Sequence, residues 1–202
     1  NALTNSSAFN NATRPQGKHY DYEAESKVFA VFTGIEGVEI SNNLLGFADI
    51  RAESIHYSYD NKMLTGNTRD DGSVCGFGGC YYNRPADRSD KHQEMSARLG
   101  LETNNEGVNY FAQTSLGFRP PQINEAYRLQ KKQTVSDLDS EKLTMFEIGS
   151  RFDFNLINGS ISFYKSKKKN SIFRDSENFI IDNGKTNHKG VELTSRFHLP
   201  DN

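Results

Sequence analysis

The chain has 202 residues, of which 35% are hydrophobic and 25% charged, and it contains no tryptophan. That apolar share is low for a compact water-soluble core of this size, and the length allows one sizeable domain or two small ones. A formal net charge of −2 gives no field that gathers nucleic acid or draws the chain to an anionic surface.

No apolar run approaches the roughly 18 residues that a membrane helix needs, and no signal-peptide core is visible. The mean hydropathy of −0.74 therefore excludes a helical membrane protein. It does not exclude a membrane barrel, whose strands need only about 9–11 residues with alternate ones apolar. The first residue is Asn1 rather than methionine, so the chain reads as a mature protein, a soluble protein or a fragment.

Period-two alternation runs through the sequence, and helical periodicity is nearly absent. The first strand is expected over 28–38, "VFAVFTGIEGV". After the turn-like Ser41–Asn43, the chain resumes as "LLGFADIRAESIHYSYD". There Ala48, Ile50 and Ala52 share one face, and Asp49, Arg51 and Glu53 share the other.

A long polar stretch of about 61–91 follows and holds both cysteines, Cys75 and Cys80, in "CGFGGC". Two cysteines do not close a zinc site unaided, and the spacing to His92 fits no zinc motif. The intervening glycines allow a tight turn. A local disulfide is expected, which implies an oxidising compartment; free thiols are the alternative. "TRDDGS" at 68–73 lacks the spaced ligands of an EF-hand and reads as a plain loop. "GFGGC" joins no strand to a helix, as a phosphate loop would.

In "MSARLGLE", Met95, Ala97, Leu99 and Leu101 alternate with Ser96, Arg98, Gly100 and Glu102. The turn "TNNEG" leads to "NYFAQTSLGFRPP", which places Tyr110, Leu116 and Phe118 opposite Asn109, Gln113 and Ser115. A second polar stretch covers about 119–140, where Pro120 and Pro121 suit the start of a short helix.

The strand "TMFEIGSRFDF" then sets Phe146, Ile148, Phe152 and Phe154 against Glu147, Gly149, Arg151 and Asp153. After the turn "LING" comes "SISFYKSKKKNSIF", whose lysine run 165–169 reads as a solvated strand end. A third polar stretch, about 174–189, precedes "GVELTSRFHL", where Val191, Leu193 and Phe197 oppose Glu192, Thr194 and Arg196.

About seven strands result, and every second connection is long. Transmembrane barrels show this rhythm as a rule, with short periplasmic turns and long extracellular loops. The polar face also carries both signs of charge within single strands. We read that face as a barrel lumen and the apolar face as lipid-facing, with Tyr110 and Phe118 at the aromatic girdles. Arg51, Arg98, Glu147, Arg151, Glu192 and Arg196 are expected to form a charge network in the lumen. The fold class is all-β, part of an antiparallel up-and-down transmembrane barrel.

The segments "SLGFRPPQINEAYRLQ", "DLDSEKLTMFEIGSRF", "ISFYKSKKKNSIFRDSENF" and "NGKTNHKGVEL", in this order and spacing, resemble the barrel of TonB-dependent outer-membrane receptors. The shared features are a Gly-Phe-Arg-x-Pro strand end, a Glu-x-x-x-x-x-Glu-x-Gly strand at Glu141, Glu147 and Gly149, and a Gly-Val-Glu strand at 190–192. The resemblance covers most of the chain, residues 1–202 being read as barrel. It implies about 22 strands for the whole domain, so the chain is expected to be an internal piece of the C-terminal half, without the plug.

The resemblance further implies a Gram-negative outer-membrane location and TonB-coupled uptake of a scarce solute, most often a ferric siderophore. TonB, the solute and outer-membrane lipid are the implied partners, with no catalytic residue, cofactor or metal in this segment. Arg119, Gln122, Glu125, Tyr127 and Arg128, with Arg174 of the next loop, are candidate solute contacts, because Arg and Tyr suit chelates rich in anionic oxygens. The alternative for Arg119 and the prolines is that they shape the strand exit. Two other classes remain open on the sequence: a passive porin-type barrel and a soluble secreted β-sandwich binding module.

Overall fold

The computed structural model describes residues 2–134 and 136–198, and the side chains from residue 7 onward. Its main body is one seven-stranded antiparallel sheet in the order β1-β2-β4-β5-β7-β8-β9. The strands are β1 (Tyr22–Ser41), β2 (Leu44–Asn61), β4 (Arg88–Thr103), β5 (Val108–Arg119), β7 (Glu141–Phe154), β8 (Ile157–Arg174) and β9 (Ile180–Phe197). Each pairs with its sequence neighbour within the sheet, which is up-and-down topology. A two-stranded ribbon of β3 (Tyr82–Asn83) and β6 (Leu129–Gln130) lies in the loops, with helices α1 (Ala2–Thr13) and α2 (Ile123–Tyr127). No second sheet layer covers the main one among the described residues, so the β-sandwich alternative falls.

The register confirms the two faces. Asp49 lies opposite Arg98, and Gln113 opposite Glu147. Glu147 in turn lies opposite Tyr164, and Tyr164 opposite Gly190. Because partners in a ladder point the same way, these residues share one face across six strands. The opposite face is apolar and bare: Leu99 is 60% exposed, Phe146 53% and Leu193 69%. Exposed apolar patches on a water-soluble monomer rarely exceed a few hundred Å². A face spanning seven strands fits lipid.

The short turns lie at residues 42–43, 104–107 and 155–156, all at one end of the sheet. Asn43 and Gly107 take positive φ (61° and 81°) in two of them, a conformation that asparagine and glycine reach most readily. Strands of 18 residues in β2, β8 and β9 and 20 in β1 far exceed the roughly 9–11 needed to cross. Their outer ends must project beyond the hydrocarbon.

Three expectations are corrected. The 174–189 stretch is not a long loop: β8 runs to Arg174, β9 starts at Ile180, and only residues 175–179 connect them. Polar side chains on both faces do not prevent a ladder, since backbone groups make it. The first strand likewise begins at Tyr22, with Glu23 and Glu25 above the apolar band. The amino-terminal segment forms helix α1, although its sequence carries no strong apolar stripe.

Two inward aromatics lie flat over glycines of the next strand. Phe47 is directly opposite Gly100, and Phe111 opposite Gly149. A Cβ at Gly100 would sit 2.3 Å from the Phe47 ring and 2.8 Å from the Ala112 carbonyl oxygen; one at Gly149 would sit 2.7 Å from Phe111. The guanidinium of Arg98 stacks 4.9 Å from the Phe47 ring centre, and that of Arg151 4.4 Å from Phe111. The missing side chain lets the ring lie against the wall, and the ring lets the arginine span it. Gly100→Val should expel Phe47 and disorder Arg98. The expected result is a lower yield of folded barrel, with the folded fraction less heat-resistant, measured by gel mobility of unheated against heated samples.

Candidate functional site

Above the crossing, the loops fold over the lumen side of the wall. The inward residues of outer β2 are Ile55, Tyr57 and Tyr59, all buried, and they pack against Ala126 and Tyr127 of α2. The rings of Tyr59 and Tyr127 stack at 4.5 Å. Tyr57 donates to the Pro121 carbonyl at 3.0 Å, and Tyr127 donates to Asp90 at 2.7 Å. Asp90 also accepts from Arg88 Nε at 2.9 Å. The segment after β5 is thereby drawn into the barrel mouth. Burial, with the bond to Asp90, raises the Tyr127 phenol well above its ordinary range, so it stays a neutral donor.

Pairing between β4 and β5 covers only Ala97–Glu102 against Phe111–Leu116. Beyond it the strands splay, and the 120–140 segment occupies the space. Phe118 packs beside Ile123 against the Tyr57 and Tyr59 cluster. It is a packing residue here rather than a bare girdle aromatic, whereas Tyr110 is 60% exposed as a girdle residue would be.

This packing decides which candidate contacts remain available. Arg119 donates to Glu141 at 2.7 Å and to both carboxylate oxygens of Glu125, at 2.9 and 3.1 Å. Glu125 also accepts the Gln122 backbone N–H at 2.7 Å, closing the first turn of α2 as a capping residue does. Arg119 and Glu125 are thus engaged with each other and with β7, and Tyr127 is fully buried. These three are engaged in shaping the strand exit, Arg119 and Glu125 staying partly exposed. Gln122, Arg128 and Arg174 keep exposed side chains.

Arg128 stacks 5.3 Å from the Tyr20 ring centre. Arg174 is close enough to act on the Tyr20 phenol, though burial dominates and pushes that group up to about 12. Arg128 and Arg174 thus both act on Tyr20. Neither has a carboxylate within 4 Å among the described residues.

Around them the 62–87 loop is pinned by Arg84, which the sequence did not single out, and by the two cysteines, which it did. Arg84 is 1% exposed. It donates to the carbonyls of Leu64 at 2.6 Å, Thr68 at 2.8 Å and His19 at 3.2 Å. Carbonyl oxygens substitute for water around this buried cation, tying three chain segments together. Cys75 and Cys80 are joined as a disulfide, both buried, and pack with Tyr82 and Tyr20. Phe9 of α1 lies against Phe77 and Tyr81. Asp71 accepts from the Ser73 amide and hydroxyl, forming an Asx turn. Among the described residues no three His, Cys, Asp or Glu side chains converge as a metal site would require.

Lower in the lumen, Arg98 bonds Asp49 at 2.7 Å and reaches Glu36 at 3.3 Å. Arg51 bonds Glu53 at 2.8 Å, Arg151 bonds Glu102 at 2.8 Å, and Glu147 accepts from Gln113 at 2.7 Å. The expected network is therefore several local clusters. Glu192 and Arg196 share the inward face of β9 but make no ion pair among the described residues. These pairs are half-exposed, so each contributes only about 0–1 kcal/mol. Together they line the inner wall with alternating charge.

An open sheet with a lipid-type outer face, a charged inner face and loops folded into the mouth defines a sector of a large outer-membrane barrel. The family model described as "TonB dependent receptor-like, beta-barrel" matches residues 2–200. The chain belongs to this family, and its place is the outer membrane of a Gram-negative bacterium.

Three solved structures share the fold. The ferric-catecholate import receptor Fiu from K12 E. coli is 16% identical with a TM-score of 0.66, over 90% of this chain and 27% of that one. The copper transporter OprC is 14% identical with a TM-score of 0.65, over 89% and 28%. The ferric yersiniabactin uptake receptor FyuA from Yersinia pestis is 10% identical with a TM-score of 0.61, over 89% and 25%. The chain thus spans about a quarter of the length of these receptors, and at such identities the likeness is one of fold. No curated protein sequence matches it.

Glu141 lies at the outer end of β7, beyond the crossing. It is held down to about 2, first by the bond from Arg119, against the opposing effect of burial, and then by the Ile172 amide and Lys168. A depressed carboxylate stabilises the fold fully above its unfolded value of about 4.5. That contribution is lost as pH falls through about 2. Hydrogen exchange at the Ile172 amide, which donates to Glu141 at 2.9 Å, should report it. Corrected for intrinsic rates, protection should hold from pH 7 to 5 and fall away between about 4.5 and 2. In Glu141→Gln it should be lower by about 1–3 kcal/mol at pH 7 and flat across that window.

Proposed function

We propose that this chain is the wall-and-loop part of a receptor that takes up a scarce solute across the outer membrane, powered through TonB. We further propose that the solute is a ferric siderophore or a related iron complex. The segment supplies barrel wall and extracellular loops and contributes no catalytic residue. The observation that carries the transport reading is the family match over nearly the whole chain. TonB would act through a plug domain supplied by another part of the receptor.

The reading of the solute is supported by the mouth. Arg128 stands exposed over Tyr20, Arg174 is exposed as well, neither has a carboxylate within 4 Å among the described residues, and Gln122 is also exposed. Guanidinium groups bind catecholate, carboxylate and hydroxamate oxygens through paired charge-assisted bonds. The structurally similar proteins Fiu and FyuA are named as ferric-chelate receptors, while OprC is named as a copper transporter.

The test is uptake of labelled ferric catecholate, ferric hydroxamate, haem and copper by cells that express the full receptor. Uptake of one ferric chelate should require TonB, while its binding at the cell surface should not. Arg128→Ala with Arg174→Ala should weaken that binding by about tenfold or more without lowering the amount of receptor in the membrane. Uptake that continues without TonB would overturn the energy-coupled reading. Transport of copper or haem alone would overturn the ferric-siderophore reading.

A further inference from the structure

Six lysines stand on the outward face of β7, β8 and β9. Phe146, Lys165 and Lys189 lie side by side across the three strands, and so do Thr144, Lys167 and Asn187 one row higher. Lys142, Lys169 and Lys185 form the next row. These side chains share the face of Ile148, Phe163 and Val191, which lie directly below them and are 50–59% exposed. The lysines therefore begin where the lipid-type surface ends, on the side away from the short turns.

The protein does not neutralise them. Among the described residues, only Lys142 has a carboxylate within 4 Å, Glu94 at 3.8 Å. Lys168, the inward member of the same run, is matched by Glu141 at 3.1 Å. Like charges directly opposite in a ladder are destabilising, and here Lys142 faces Lys169, Lys169 faces Lys185, and Lys165 faces Lys189. At similar height β2 presents Ser54 and His56, and β5 presents Leu116. On the same face β4 adds Lys91, and β1 adds Lys27, which Glu25 pairs at 3.1 Å, so the lysines are densest on β7, β8 and β9 rather than exclusive to them.

We propose that this sector docks the phosphate-bearing headgroup of an anionic glycolipid in the outer leaflet. Three features favour a lipid over a soluble anion. The patch continues directly from the lipid-contacting band, it faces away from the lumen, and its two-dimensional spread suits a headgroup layer. Lysine stems can lie along apolar surface while their ammonium groups reach the headgroup region. Opposite residues in a ladder have Cβ atoms about 4.5–5.5 Å apart, so neighbouring ammonium groups can share one phosphate. The lysine run 165–169 is then a lipid contact at its odd positions rather than a generally solvated strand end.

The test uses the full receptor with its native flanking sequence, folded in detergent and stripped of lipid. It is titrated with phosphorylated lipid A, with dephosphorylated lipid A and with inorganic phosphate, and bound lipid is counted by native mass spectrometry. The wild type should bind phosphorylated lipid A, with affinity falling as salt rises. The triple variant Lys165→Gln, Lys167→Gln, Lys169→Gln should bind it at least about tenfold more weakly, since each lysine near an anionic headgroup layer contributes roughly fivefold. A charge control, Lys18→Gln, Lys62→Gln, Lys132→Gln, should bind like wild type.

If the triple variant does not fold, Lys185→Gln with Lys189→Gln tests the same surface from β9. Equal binding by the patch variants, or equal binding of dephosphorylated lipid A, would overturn the proposal. So would displacement of the lipid by inorganic phosphate at similar concentration, which would mark a site for free anions.

Discussion

Inside hydrocarbon every backbone N–H and C=O must find a partner within the protein, because no water is there to take its place. That constraint fixes the antiparallel ladder, and the ladder fixes a side-chain period of two. From the period follow the bare apolar face and the charged inner face. It also explains why glycines such as Gly100 sit where an aromatic from the next strand must lie flat. In the main sheet, β1 and β9 each have a partner on one side only among the described residues. A chain covering about a quarter of its structural relatives leaves those two edges to be joined by further strands.

Outside the hydrocarbon the constraint relaxes, and the structure changes character there. Strands β4 and β5 splay apart beyond Ala97 and Leu116. The gap is filled by α2, whose side chains are held by hydrogen bonds to Asp90 and Arg119. Wall and mouth thus obey different rules. The wall is held by backbone ladders that tolerate many side chains. The mouth is held by particular side chains, among them Arg84, Tyr127 and the Cys75–Cys80 pair.

That difference explains what the sequence made legible. The strands, their faces, the positions of the short turns and the family could be read from alternation, because every second residue of the wall reports the same solvent. Ladder length was misjudged at 174–189, since polar residues above the membrane carry no alternation while their backbones still pair. Helix α1 was missed because its contacts come from Phe9 against distant Phe77 and Tyr81. In the mouth, Arg119, Glu125 and Tyr127 look in sequence like groups open to a solute. Their partners lie on other strands or arise from the cap of α2, so no local pattern shows that they are paired within the protein. Arg84 was unmarked for the same reason: its acceptors are carbonyls 16–65 positions away.

The central claim is that one face of this sheet meets lipid and the other meets the lumen. Single nitroxide labels placed in turn at positions 95–102 of β4 in the full receptor, reconstituted in bilayers, test it most directly. Accessibility to oxygen should peak at the positions of Met95, Ala97, Leu99 and Leu101. It should drop at those of Ser96, Arg98, Gly100 and Glu102, with a water-soluble paramagnetic reagent favouring the second set. An inverted pattern, or no alternation at all, would contradict the account of this chain as a sector of an outer-membrane barrel.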